Sequence, residues 1–352
     1  PLCQRVVYMK PDPVVCHEAE PMSENAKRPE PAGAARADTG TVADAPGGNW
    51  VDTRAPVWTR PYLRLSRADR PIGTWLLLLP CYWGVALAAA GDPAGWGLRD
   101  LWIIAGCGAG AWLMRGAGCT WNDITDRHFD AAVARTRSRP IPSGQVTVRG
   151  ALVWMVMQAV AAAAILFTFN ATAIMLGVAS LGLVVIYPFA KRFTWWPQVF
   201  LGLAFNWGAL LAYVAHTGSL GAPVFALYLA GIFWTLLYDT IYAHQDREDD
   251  ALIGVRSTAR LFGNRTASWL RGFMVLSVLL MTLAVLLALL GRDAGWPAVT
   301  LALVGVWAFA AHLGWQLAQL DIDNPDNCMR VFRSNRDEGL LPALFLAGAA
   351  FV

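Results

Sequence analysis

Residues 121–130 read WNDITDRHFD, and a second stretch, YDTIYAHQDREDD at 238–250, has the same character. Each follows directly on a long apolar run. In the first, Asn122, Asp126 and Asp130 recur every four residues; in the second, Asp246 and Asp250 do so, with Asp239 seven residues earlier. Positions four apart stack on one face of a helix, so each segment predicts a stripe of side-chain oxygens. Like charges at that spacing repel by roughly 0.2–0.5 kcal/mol per pair. If the preceding helices run on into these stretches, the acids also sit near helix C-termini, where the macrodipole disfavours anions. A cation bound between the two stripes would relieve both penalties.

The surrounding composition places the stripes at a membrane. Of 352 residues 56% are hydrophobic and only 15% charged, against about 25% charged in a typical water-soluble chain. The apolar residues come in runs near the roughly 20 residues that span a bilayer. The expected fold is all-α: a polytopic membrane protein with about nine transmembrane helices bundled around a central cavity. The spans fall at about 74–90, 101–121, 151–168, 171–190, 197–216, 222–243, 270–290, 294–312 and 339–352. Residues 1–60, rich in Pro, Ala, Gly and charge, read as a disordered tail before a transmembrane domain at 61–352. The chain opens on Pro1, so the sequence leaves open whether residues 1–21 belong to the native protein.

Arginines support the span count. Arg54, Arg60, Arg64, Arg67 and Arg70 precede the first span; Arg127, Arg135, Arg137, Arg139 and Arg149 follow the second; Lys191 and Arg192 follow the fourth. Arg247, Arg256, Arg260 and Arg265 follow the sixth, and Arg330, Arg333 and Arg336 the eighth, whereas the opposite loops hold only Arg99 and Arg292. The positive-inside rule then puts the N-terminus and both acidic motifs in the cytoplasm. The net charge of +3 gives no reason to expect nucleic acid, and no protein partner is indicated. Six cysteines without a C-x-x-C make neither a metal nor a redox pattern.

A single D-x-x-x-D would read as a solvated juxtamembrane face, with Asp123 pairing Arg127 four residues on. Two such motifs at matching helix ends on one side read as a site. Clustered carboxylates suit Mg²⁺, which keeps several waters and bridges to substrate phosphates, so a diphosphate is the expected substrate group. Each motif closes the second span of a four-span block, and a weak internal duplication would bring the stripes face to face. Arg115, seven residues before Asn122, shares its face; a charge at that depth either serves a polar site or snorkels. His128 and His244 flank the motifs without zinc-ligand spacing.

Here the sequence resembles the UbiA superfamily of intramembrane prenyltransferases. The resemblance rests on N-D-x-x-D-x-x-x-D at Asn122–Asp130 and D-x-x-x-D at Asp246–Asp250, with RADRPIGTWLLLLP, LMRGAGCTWND, RTRSRPIPSG, YPFAKRFTWWPQ and DREDDALIGVRSTARLFG. It covers nearly everything from Leu65 onward and is nearest the ubiquinone-pathway branch that prenylates 4-hydroxybenzoate. It implies Mg²⁺ held by Asn122, Asp126, Asp130, Asp246 and Asp250, with the four aspartates catalytic. It implies a polyprenyl diphosphate donor contacted by Tyr187 and Lys191, with Arg192 at the acceptor's carboxylate; Asn122 and Arg115 complete the substrate-binding set. The expected setting is a bacterial inner membrane, with the mitochondrial inner membrane as alternative. Competing readings are a UbiA-type enzyme with another aromatic acceptor and, from a different class, a membrane cation transporter. A CDP-alcohol phosphotransferase would need D-G-x-x-A-R, which is missing.

Overall fold

Short polar punctuation cuts the apolar sequence into helices. Asn170 accepts from the Ala173 amide and Thr147 from that of Gly150, each capping a helix start, while Gly218 ends another in the left-handed conformation at φ 82°. The computed structural model describes residues 42, 43, 45–247, 251, 254–291 and 294–352. Among them are nine long helices: α1 Ile72–Gly91, α2 Leu98–Ala132, α3 Val148–Leu166, α4 Ala171–Phe193, α5 Pro197–Thr217, α6 Ala222–Ala243, α7 Thr266–Leu290, α8 Trp296–Gln319 and α9 Pro325–Ala349. No strand occurs among the described residues. Seven carry a stretch long and apolar enough to cross a membrane. Arg115 within α2 and the charged run Arg330–Glu338 within α9 keep the other two below that level.

The helices close into a ring. α1 packs on α2, α5 and α9; from α4 each helix packs on the next as far as α9, which returns to α1; α3 leans on α2 and barely touches α4. A Cβ placed on Gly84 would lie 2.3 Å from the Ala209 carbonyl oxygen, so α1 and α5 cross at backbone contact. Where α1 meets α6 and α8 the core is aromatic. Trp83 and Trp234 sit 4.9 Å apart between ring centroids, with Phe309 and Tyr238 against them, all fully buried.

Two expectations are corrected. Residues 49–60, assigned to the tail, are ordered: Asn49 caps the short helix Trp50–Thr53, and Val51 is fully buried with Ala55 and Ala68. Residues 1–41 lie outside the described residues. The two acidic segments also differ in form. At 1.5 Å per residue, the 35 residues of α2 run about 50 Å, past a hydrocarbon core of about 30 Å, so the first motif is the helix's own last three turns. α6 stops at Ala243 and gives way to a 3₁₀ turn, His244–Asp246, so no continuous α-helix joins Asp239 to Asp246.

Candidate active site

Asn122, Asp126 and Asp130 do share one face of α2, and that face lines a polar pocket of about 270 Å³. Tyr187 and Lys191 of α4, Gln198 of α5, and Asp239 and Tyr242 of α6 line it too, with Arg135 and Arg139 from the α2–α3 loop and Arg256 and Ser257 from the loop after α6. The ends of both motif-bearing helices therefore meet around one space.

The carboxylates there are buried and neutralised. Asp126 is 1% exposed; Lys191 Nζ stands 2.5 Å from one oxygen and Arg192 Nη2 3.2 Å from the other. Arg139 Nη1 donates to both oxygens of Asp130, at 3.0 and 2.9 Å. Burial, together with the neighbouring Asp123 and Asp126 charges, holds the Asp130 carboxyl above the usual range despite Arg139. Asp123, fully buried, accepts from Arg67 Nη2 at 2.6 Å, with Arg139 Nη1 at 3.6 Å, so its partners come from other segments and not from Arg127 one turn on. Arg67 has φ 54°, a left-handed conformation that costs a non-glycine residue of order 1–3 kcal/mol.

Beyond this pocket opens an apolar chamber of about 460 Å³, enclosed by α1 to α5. It runs along α2 from Asn122 to Gly106, about 24 Å of helix. Along its wall Phe169 and Ile165 pack on Gly106, and Leu166 on Gly177. Asn122, Arg139, Tyr187 and Tyr242 line pocket and chamber alike. Arg115 is the charged group well inside: its guanidinium lies 5.5 Å from the Phe205 ring centroid, fills the space that a side chain at Gly73 would need, and its Nε has no partner.

Of the residues expected from sequence, Asn122, Asp126, Asp130, Tyr187 and Lys191 line the polar pocket and Arg115 the chamber. Arg192 lines neither; it is stacked between the Phe129 and Phe189 rings, with Asp126 as its anion. Asp246 belongs to the 3₁₀ turn, but its side chain, like all of Asp250, lies outside the described residues. Arg67, Asp123, Arg139 and Asp239 were not singled out as site residues. Arg139 is one of five arginines around one loop, and nothing in their order distinguishes the one that folds back.

Magnesium fits the donor set. Asn122, Asp126 and Asp130 are hard oxygen donors on one face, and basic side chains stand where a cation would relieve the buried carboxylates. Among the described residues no three His, Cys, Asp or Glu side chains are grouped to hold a metal ion, and Asp126 and Asp130 are paired with Lys191, Arg192 and Arg139 instead.

These features define a multi-pass helical membrane protein with an anion-handling pocket opening onto a hydrocarbon-sized chamber. Residues 77–337 match the UbiA prenyltransferase family, and the chain belongs to it. It is 49% identical over 295 residues to the mitochondrial 4-hydroxybenzoate polyprenyltransferase of Bos taurus, covering 83% of this chain and 76% of that one. To the Aedes aegypti protein of the same name it is 48% identical over 288 residues, 81% of this chain but 62% of that one, so it spans less than two thirds of that relative. A UbiA homolog from Archaeoglobus fulgidus, solved bound to DMAPP and Mg²⁺, has the same fold, with TM-score 0.62 at 19% identity over 82% of this chain and 97% of that one.

Proposed function

We propose that this protein transfers a polyprenyl group from polyprenyl diphosphate to the ring of 4-hydroxybenzoate, ortho to the hydroxyl, releasing diphosphate, as a step of ubiquinone biosynthesis. The observation that carries the reading is the junction of the two cavities at Asn122, Arg139, Tyr187 and Tyr242. A molecule with an anionic head and a long hydrocarbon tail fits across it. The names of the relatives supply the acceptor.

In this reading the diphosphate lies among Lys191, Arg139 and the α2 stripe, with its chain along α2. Bound Mg²⁺, held by Asn122, Asp126 and Asp130 with Asp246 and Asp250 completing the set, would take up charge on the departing diphosphate. Lys191 and Arg139 leave their carboxylates to donate to phosphate oxygens, contacts that strengthen as the allylic C–O bond breaks and its electron pair goes to diphosphate. The apolar chamber excludes water from the carbocation left behind. The acceptor ring attacks it and then loses a proton, restoring aromaticity. Arg115, with an unpartnered Nε, is better placed than Arg192 for the acceptor's carboxylate; Arg192 instead holds Asp126. By the arginine pattern both acidic segments lie on the inner side, the cytoplasm for a bacterial membrane and the matrix for a mitochondrial one. The relatives' names favour a mitochondrial membrane over a bacterial one.

A cation path has less support, since the acids sit at helix ends and the space beyond them is lined mainly by apolar side chains. The deciding assay incubates the purified protein and Mg²⁺ with a polyprenyl diphosphate and, separately, 4-hydroxybenzoate, homogentisate and a dihydroxynaphthoate. Prenylated 4-hydroxybenzoate is expected. Product with another acceptor alone would transfer the reading to a different branch of the family.

A further inference from the structure

Arg139 reaches Asp130 from a loop, residues 133–147, and a loop side chain is only as well placed as the backbone beneath it. Part of what holds this loop comes from ahead of the membrane domain. Asp52, in the short helix Trp50–Thr53, accepts from Arg64 Nη2 at 2.6 Å and Nε at 3.1 Å. Arg64, its side chain 4% exposed, donates through Nη1 to Gln145 Oε1 at 3.1 Å. Gln145 Nε2 donates to Ser143 Oγ at 2.8 Å, and the Ser143 hydroxyl donates to the Arg139 carbonyl at 2.7 Å. Arg139 then binds Asp130.

Two further contacts tighten this line. The Ala43 amide donates to Ser138 Oγ at 2.9 Å, one residue before Arg139. Arg67, which holds Asp123, donates through Nη1 to the Arg64 carbonyl at 3.3 Å. Asp52 itself is fixed by Asn49, whose Nδ2 donates to it at 2.7 Å, and the helix is seated by Val51 and by Trp50 Nε1 donating to the Ala68 carbonyl. Among the described residues Asp52 is the carboxylate that pairs with Arg64, and a buried guanidinium that loses its carboxylate is strongly disfavoured where it lies, so without Asp52 the Arg64 side chain would leave and release Gln145.

We propose that residues 49–55 are a positioning element of the active site, with Asp52 acting through Arg64, Gln145 and Ser143 to hold Arg139 at the donor's diphosphate. This rests on the prenyltransferase reading for its substrate, but not for its mechanical part.

The experiment therefore has two arms on the full chain. In steady-state kinetics Asp52→Ala should raise the donor KM about fivefold to tenfold, the order expected from loosening one charge-assisted contact, with the acceptor KM within twofold. Asp52→Glu should restore most of it, and Gln145→Leu, which leaves the Asp52–Arg64 pair intact, should reproduce the defect. In an Arg139→Ala background Asp52→Ala should add less than about twofold, because the two act on one contact. In the second arm, hydrogen exchange of the amides in 133–147 should quicken about tenfold in Asp52→Ala, whatever the substrate. An unchanged donor KM in an active enzyme, a full Asp52→Ala penalty on top of Arg139→Ala, or unchanged exchange across the loop would each overturn the proposal. Faster exchange in a protein whose unmodified form fails to prenylate 4-hydroxybenzoate would instead count against the function and leave the positioning element standing.

Discussion

Helices α1–α5 line an apolar chamber, whereas large aromatic side chains fill the space where α1 meets α6, α8 and α9. The difference lies in side-chain size at facing positions. Of the small residues on the chamber wall, Gly106, Gly177 and Gly208 receive Phe169, Leu166 and Cys81, but Gly118 has only Val184 Cγ1, 4.0 Å from where its Cβ would be. Where α1 meets α6, α8 and α9, Trp83, Trp234, Tyr238 and Phe309 interlock, and Gly305 and Gly339 serve as seats for Phe345 and for Leu79 with Trp234. Gly110, by contrast, has nothing within 4 Å of where its Cβ would be. A glycine that receives a side chain builds a core; one that receives nothing leaves room for a ligand.

Five measurements test that contrast and the site beside it. Asp126→Ala should have the largest effect, a loss of about 10²- to 10³-fold in turnover, as for removal of a main electrostatic contact at a leaving group. It also leaves Lys191 and Arg192 without their shared anion, so unfolding temperature must be measured beside activity. Excess EDTA should abolish turnover, and undiminished turnover in EDTA would remove the metal from the reading. Next, Arg115→Lys keeps charge but loses the planar fork, and should cost roughly 1.5–3 kcal/mol, or about 10- to 150-fold, in acceptor kcat/KM. Arg192→Lys should cost the acceptor much less. Acceptor titrations of both variants decide between the two arginines, and the reverse order would return the carboxylate to Arg192.

The packed region should respond in stability rather than specificity. Phe309→Ala should cost about 3–5 kcal/mol of stability by opening a cavity, with both KM values of the folded fraction unchanged. The smallest effect is the most diagnostic. Gly110→Leu should leave the unfolding temperature within a few degrees while lowering kcat/KM for a long polyprenyl diphosphate about tenfold more than for a short one. Gly305→Leu, where a Cβ would meet Phe345 at 2.4 Å, should do the opposite: about 1–3 kcal/mol of destabilisation by overpacking and no change in chain-length preference. If both glycines behaved alike, the two regions would not differ as described.

What can be read from the chain alone follows from periodicity and composition. The nine spans, their alternation against the arginines, the i, i+4 stripe Asn122–Asp126–Asp130 and the grouping of Tyr187 with Lys191 all depend on residues close in sequence. Helix geometry converts that spacing directly into a shared face. The continuation of α2 through its motif is local in the same sense, since no glycine or proline interrupts residues 119–132.

Other features required the assembled structure because they depend on which of several equivalent residues meets a distant partner. Five arginines flank one loop, yet only its folding selects Arg139 for Asp130, and Asp123 passes over Arg127 four residues away for Arg67 at a separation of 56. Arg192 and Lys191 are neighbours in sequence, but 100° of helix rotation per residue turns one into the pocket and the other onto Phe129 and Phe189. The stretch 49–60 resembles a tail because one buried valine and one aspartate make no periodic signal; its order comes from Arg64 and Gln145, contributed from elsewhere. Local spacing thus determined the helices and the acidic face. Long-range packing decided which charges pair, where the chamber lies and what holds its rim, because a guanidinium or a glycine carries no record in sequence of the surface it will meet.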